Sequence, residues 1–315
     1  MTTPADRAHD RNASSPGDGA SSPANASIHG ATILGVEGLT LGPDERAFLR
    51  DADPWGFILF ARNVDNPDQL RRLTGDLRDA VGRDAIVMTD QEGGRVQRLC
   101  APHWTDWPSA QDSAADGSRA VELRYRLLGQ ELRAVGIDCD AAPCLDLAQD
   151  ATHPFLRNRC FGTDPDTVAR MGRAAADGLI AAGVLPVVKH MPGHGRTRVD
   201  SHHDTPVLDV SLEELDRTDF APFRALADLP MGMTAHIRLT QLDDRPATAS
   251  AAAIALIRDR IGFAGLLMTD DIGMNALQGT PGQRAAAAIA AGCDLVLACN
   301  LTRAEFAAVA EAARL

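Results

Sequence analysis

Eight short runs of β-branched and Leu-rich residues, each followed by an amphipathic stretch, constrain this chain more than any other feature. They are Ile33–Gly35, Gly56–Phe60, Ala85–Asp90, Ile137–Ala142, Val184–His190, Met231–His236, Gly265–Asp270 and Asp294–Cys299. Strand runs alternating with helical patterns predict βα units around a parallel sheet. Helix-start signals stand between them: Asn66 before Pro67, Asp164 before Pro165, Ser211 with Glu214, and Thr302 with Glu305. Eight such units over residues 31–315 predict an α/β fold of one closed (β/α)8 TIM-type barrel, a single domain. A doubly wound open sheet is the alternative. It calls for a Gly-rich phosphate loop after the first strand, and Gly35-Val36-Glu37-Gly38 is not GxGxxG.

Residues 1–30 are mostly Ala, Ser, Pro, Gly, Asp and Asn, too poor in large apolar side chains to offset the entropy of ordering, so they are expected to form a disordered tail. They lack the basic and apolar regions of a secretory signal, and the expected location is the cytoplasm. No apolar run approaches the roughly 18 residues of a membrane-spanning helix, so no membrane partner is expected. Against 31 Lys and Arg stand 43 Asp and Glu, a net charge of −12 without a basic block, which argues against nucleic acid. The six cysteines form no CxxC pair and read as small buried thiols in a reducing compartment.

In a barrel the C-terminal strand ends build the active site. Here they are unusually polar. The third run ends in Thr89-Asp90-Gln91-Glu92-Gly93-Gly94-Arg95-Val96-Gln97-Arg98, the fourth leads to Asp146, and the fifth ends in Lys189-His190-Met191-Pro192-Gly193-His194-Gly195. The sixth ends in His236, the seventh in Asp270-Asp271, the eighth in Asn300. Any one of these could be a helix cap or a turn, but six together point to a catalytic cleft. Four histidines fall between His190 and His203, a clustering that could suggest metal. Pro192 and two glycines oppose a helix there, and no carboxylate follows in zincin register, so neither metal nor cofactor is expected. The loop instead carries Asp200-Ser201-His202, where the carboxylate can fix the imidazole tautomer and raise its pKa for acid/base work. The glycines lead us to expect Gly193–His203 to be mobile.

The segments KHMPGHGRTRVDSH (Lys189–His202), DQEGGRVQR (Asp90–Arg98), RNRCFG (Arg157–Gly162) and TDDIGM (Thr269–Met274) resemble glycoside hydrolase family 3, specifically its single-domain bacterial β-N-acetylglucosaminidases of cell-wall recycling. The resemblance spans nearly the whole chain after residue 30 and implies a retaining enzyme acting on a small carbohydrate substrate without a cofactor. It places the nucleophile at Asp270, the acid/base at His202 assisted by Asp200, and sugar-binding roles at Asp90, Arg98, Arg159, Lys189 and His190. Chemistry agrees: a glycosidase of this type needs a carboxylate below the anomeric carbon and a proton donor beside the leaving oxygen. Asp271 is expected to serve the start of the following helix. His203 leaves open which imidazole titrates, and Glu92 is a fallback acid/base. A phosphorylase of the same fold and a non-catalytic sugar-binding barrel are the alternative functions.

Overall fold

The computed structural model describes residues 29–197 and 205–314. Eight parallel strands form β1 (Gly30–Gly35), β2 (Pro54–Leu59), β3 (Ile86–Thr89), β4 (Cys139–Asp140), β5 (Leu185–Met191), β6 (Met231–Thr234), β7 (Leu266–Met268) and β8 (Val296–Ala298). Their order around the sheet is β8-β1-β2-β3-β4-β5-β6-β7. A parallel bridge from Met268 to Leu295, with Thr269 N donating to Leu295 O at 3.0 Å, joins the last two strands. The sheet therefore closes as a (β/α)8 barrel and the open-sheet alternative fails. Both faces of the strands are buried, one inward and one beneath helices, which is why the runs read as nearly continuous apolar sequence.

The four helix-start signals act as expected. Asn66 accepts from Gln69 N above the helix Pro67–Val81, and Asp164 from Thr167 N above Pro165–Ala181. Ser211 accepts from Glu214 N, and Thr302 with Glu305 forms a capping box. Each cap is worth about 1 kcal/mol and fixes where a strand-to-helix loop must end. Ser118–Arg133 and Pro165–Ala181 pack closely because a Cβ at Gly178 would collide with the Glu122 carbonyl.

Several expectations shift. Gly30 belongs to β1, paired with Pro54, so the expected tail boundary at residue 30 moves back; residues 1–28 lie outside the described residues. A two-stranded parallel ladder, Val207–Leu208 with Arg238–Leu239, was not foreseen, because two-residue strands carry no periodicity. Five cysteines are buried free thiols, but Cys100 is exposed, in a turn where its Sγ meets Gln97 O. Among the described residues no helix is long and apolar enough to cross a membrane.

Candidate active site

The loop after β3 turns sharply through Gly93 and Gly94, at φ 94° and 58°. A side chain at Gly94 would press on Ser109, so the turn holds only with glycine, and it keeps the two acids before it over the barrel mouth. Asp90 and Glu92, two residues apart, both reach Lys189 at the end of β5. Its Nζ lies 3.1 Å from Asp90 Oδ1 and 2.7 Å from Glu92 Oε1. Arg98 Nη2 donates to Asp90 Oδ2 at 3.0 Å, and the Arg98 guanidinium stacks 5.4 Å from the Phe60 ring centroid. Arg159 forks onto Glu92, Nε to Oε2 at 2.8 Å and Nη2 to Oε1 at 2.7 Å.

Burial opposes ionisation throughout this network, and the pairing overrides it. Burial alone would raise the Asp90 carboxyl, yet Lys189 and Arg98 hold it below its ordinary value. Glu92 is likewise pulled down against burial, by Arg159 and Lys189. Lys189, only 2% exposed, is pushed up by Glu92 and Asp90 despite its own burial. Charges so paired stay ionised inside a low-dielectric site.

His190 is oriented by Asp146. Its Nδ1–H donates to Asp146 Oδ2 at 2.7 Å, leaving Nε2 on the Arg159 side at 3.4 Å from Nη2. The other Asp146 oxygen accepts from His194 N at 2.6 Å, so one fully buried carboxylate ties β4 to β5 and to the loop beyond it. Despite burial, His190 and His194 bring Asp146 down to about 2. Burial takes His194 the other way, down to about 4, and keeps it neutral near pH 7.

Asp270 and Asp271 follow β7 and differ in environment. Asp270 is held below its ordinary value, burial being outweighed by His236, His190, the Asp271 N–H and Lys189. Asp271 is raised, chiefly by burial and further by Asp270, although Gly273 N and Cys299 N donate to its Oδ1 at 3.0 and 3.1 Å. The next helix starts at Pro281 under Thr280, so Asp271 does not serve that helix; it pins the turn to the end of β8.

Six of the expected site residues, Asp90, Arg98, Arg159, Lys189, His190 and Asp270, line a single cavity of about 300 Å³ at the C-terminal strand ends. Asp200 and His202, with His203, lie outside the described residues. In the described part of that loop Gly195 packs closely: a Cβ there would collide with the Leu147 carbonyl, and Gly195 O accepts from the Thr152 hydroxyl at 2.5 Å. Glu92 loses its standing as fallback acid/base, since a carboxylate clamped by Arg159 and Lys189 has no proton to give. Sequence reasoning missed Glu92 as a clamp and Asp146 as an orienter, because their partners Arg159 and His190 stand 67 and 44 residues away.

Cys144 Sγ, Asp146 Oδ2 and His190 Nδ1 form one buried set with metal-ligand chemistry, all within 4.8 Å. Asp146 Oδ2 already accepts from both His190 Nδ1 and, at 3.3 Å, Cys144 Sγ, so the three satisfy one another.

The family model for the glycosyl hydrolase family 3 N terminal domain matches residues 36–314. A beta-hexosaminidase of Tolumonas auensis is 38% identical over 284 residues, 86% of this chain and 83% of that protein. One from Pseudomonas aeruginosa is 38% identical over 280 residues, 87% of this chain and 83% of its own length. Among solved structures, NagZ from Neisseria gonorrhoeae in complex with N-trifluoroacetyl-D-glucosamine superposes with a TM-score of 0.81 at 34% identity, covering 90% of this chain and 84% of that one. A family 3 beta-N-acetylglucosaminidase from Paenibacillus sp. superposes at 0.84 and 33% identity, although this chain spans only 56% of its length. The barrel, the carboxylates and cations at its mouth and these similarities agree: the chain belongs to glycosyl hydrolase family 3 and is a glycoside hydrolase of the beta-hexosaminidase type.

Proposed function

We propose that this enzyme is a retaining exo-β-N-acetylglucosaminidase that releases terminal N-acetylglucosamine from peptidoglycan fragments, the anhydro-muropeptides, in the cytoplasm. The observation that carries the reading is the contrast between two adjacent carboxyls. Both line the cavity, but Asp270 is held below its ordinary value and accepts a single backbone N–H, whereas Asp271 is raised and its Oδ1 takes two, so Asp270 is the better placed to attack an anomeric carbon.

In the mechanism, Asp270 forms the glycosyl–enzyme bond as the glycosidic bond breaks, and water later releases the sugar. His202, oriented by Asp200, protonates the leaving oxygen and then takes a proton from the attacking water. Asp90 accepts from sugar hydroxyls while Arg98 and Lys189 fix its carboxylate; Arg159 donates to the sugar, and His190, with its Nδ1–H given to Asp146, offers Nε2 as an acceptor. The six cavity-lining residues support the binding part of this reading. The NagZ relative in complex with N-trifluoroacetyl-D-glucosamine supports the sugar.

The test is hydrolysis of the chromogenic β-N-acetylglucosaminide beside the β-glucoside and β-xyloside. The reading expects the first to be cleaved best; cleavage of the glucoside alone sinks the sugar assignment. Running the assay in phosphate and in a non-phosphate buffer separates hydrolysis from phosphorolysis, since only a phosphorylase yields the sugar 1-phosphate.

A further inference from the structure

A second cavity, of about 430 Å³, shares no lining residue with the first. Its walls include Ala276–Gln278 of the segment after Asp270-Asp271, and Thr205 and Val207 after the fifth strand's loop. Three arginines line it: Arg238, Arg245 and Arg284. Arg245 is answered by Asp243, Nη2 to Oδ2 at 2.9 Å. The other two form no ion pair among the described residues. Arg284 Nη1 donates to the carbonyls of Ile272 and Met274 at 2.8 and 3.0 Å, Asp271 and Glu305 act on it only from beyond ion-pair distance without offsetting its burial, and its buried Nε has no hydrogen-bond partner among the described residues. Arg238 Nε has none either, and among the described residues Arg238 forms no ion pair. Asp244 is the one acid among the described lining residues, is exposed, and pairs with neither.

A guanidinium carries five N–H donors and loses favourable hydration when it is partly buried, so leaving it unanswered is costly. Two such cations facing one cavity also repel each other. A shared oxyanion relieves the repulsion by meeting Nη groups of both, the buried Nε atoms being closed to the cavity, since guanidinium N–H groups pair readily with a carboxylate or a phosphate. The space is comparable to the active-site cavity, and Pro246, Ala249, Leu277 and Ala287 add uncharged wall, so the anion has room to be carried on a neutral body.

We propose that this cavity is a second ligand site, separate from the active site, which takes a small organic oxyanion, a phosphate or carboxylate borne on a sugar-sized body, between Arg238 and Arg284. The charge supplies recognition and the uncharged wall takes the body.

Isothermal titration of the full chain at constant ionic strength tests it with three probes: glucose 6-phosphate, glucuronate and uncharged glucose. The proposal expects at least one anion to bind, glucose to bind far more weakly, and saturating N-acetylglucosamine not to displace the anion. Which anion binds more tightly identifies the headgroup. Arg238→Gln should weaken binding by about tenfold or more, the worth of one charge-assisted hydrogen bond, with thermal stability unchanged or raised because no bond is lost. Ala287→Glu, which brings a carboxylate into the cavity from an exposed helix position, should block binding independently of how Arg238→Gln folds. No anion binding up to about 10 mM, which would make any site weaker than about 3 kcal/mol, overturns the proposal. So does binding that either variant leaves unchanged, or that N-acetylglucosamine competes away.

Discussion

Arg159 holds Glu92 through two nearly equal hydrogen bonds, 2.8 and 2.7 Å, with the Glu92 side chain buried, that of Arg159 largely covered, and the two 67 residues apart in sequence. The fork uses Nε and Nη2 and leaves Nη1 without a hydrogen bond among the described residues. Arg159 is thus a sugar donor only through what Glu92 leaves over, and Glu92 decides where that donor points. The same carboxylate meets Lys189, so one acid positions two of the cations expected to bind substrate.

Glu92→Gln should therefore destabilise the fold and weaken substrate binding together. Removing one partner from a buried, hydrogen-bonded ion pair costs about 3–5 kcal/mol, because the remaining charges stay buried. Chemical denaturation measures the first effect and KM the second. An unchanged unfolding midpoint would show that Arg159 and Lys189 do not depend on this carboxylate.

Asp140, at the end of β4, makes a pH-dependent prediction. One oxygen accepts from Gln91 N at 2.9 Å; the other is buried without a partner among the described residues. Burial raises its pKa to about 7, with Asp90 and Glu92 adding to the effect. The unfolded value is about 3.9, so between about pH 4 and pH 7 the native state holds the extra proton and stability falls as pH rises. Asp140→Asn keeps the bond from Gln91 N and removes the titration. Its stability relative to the parent should grow from about pH 4 to about pH 7 and then level off. Denaturation midpoints across that range check this; a constant difference would mean that Asp140 is ionised throughout.

The acid/base assignment is tested by leaving-group dependence. His202→Ala and Asp200→Ala should slow cleavage of a natural disaccharide by roughly 10²- to 10⁴-fold, the usual worth of general acid catalysis. A dinitrophenyl glycoside leaves without help, so its glycosylation step should suffer far less. Equal losses on both substrates would assign these residues to binding or structure.

Much of this was legible in the sequence, for identifiable reasons. The barrel could be read because parallel strands covered on both faces leave eight apolar runs, and because Asn66, Asp164, Ser211 and Thr302 mark helix starts by their own side-chain chemistry. Asp90, Arg98, Lys189, His190 and Asp270 could be read as cleft residues because strand ends converge in this fold, whereas Arg159, and the sugar-binding roles, were legible only through the family's motifs. The roles of Glu92 and Asp146 could not, since a carboxylate that serves a partner 67 or 44 residues away leaves no local pattern. The ladder at Val207 and the exposure of Cys100 depend on loop conformations that no periodicity encodes.

The central claim is that Asp270 attacks the anomeric carbon and Asp271 does not. A slowly turned-over, fluorinated N-acetylglucosaminyl fluoride should inactivate the enzyme and add one sugar to the peptide spanning Gly265 to Met274. Fragmentation by mass spectrometry then places the sugar. The account predicts that it sits on Asp270, and that Asp270→Ala, still folded, neither turns over substrate nor becomes labelled. A sugar on Asp271, Asp90 or Glu92, or an Asp270→Ala enzyme that keeps more than about a tenth of the parent rate, would contradict it.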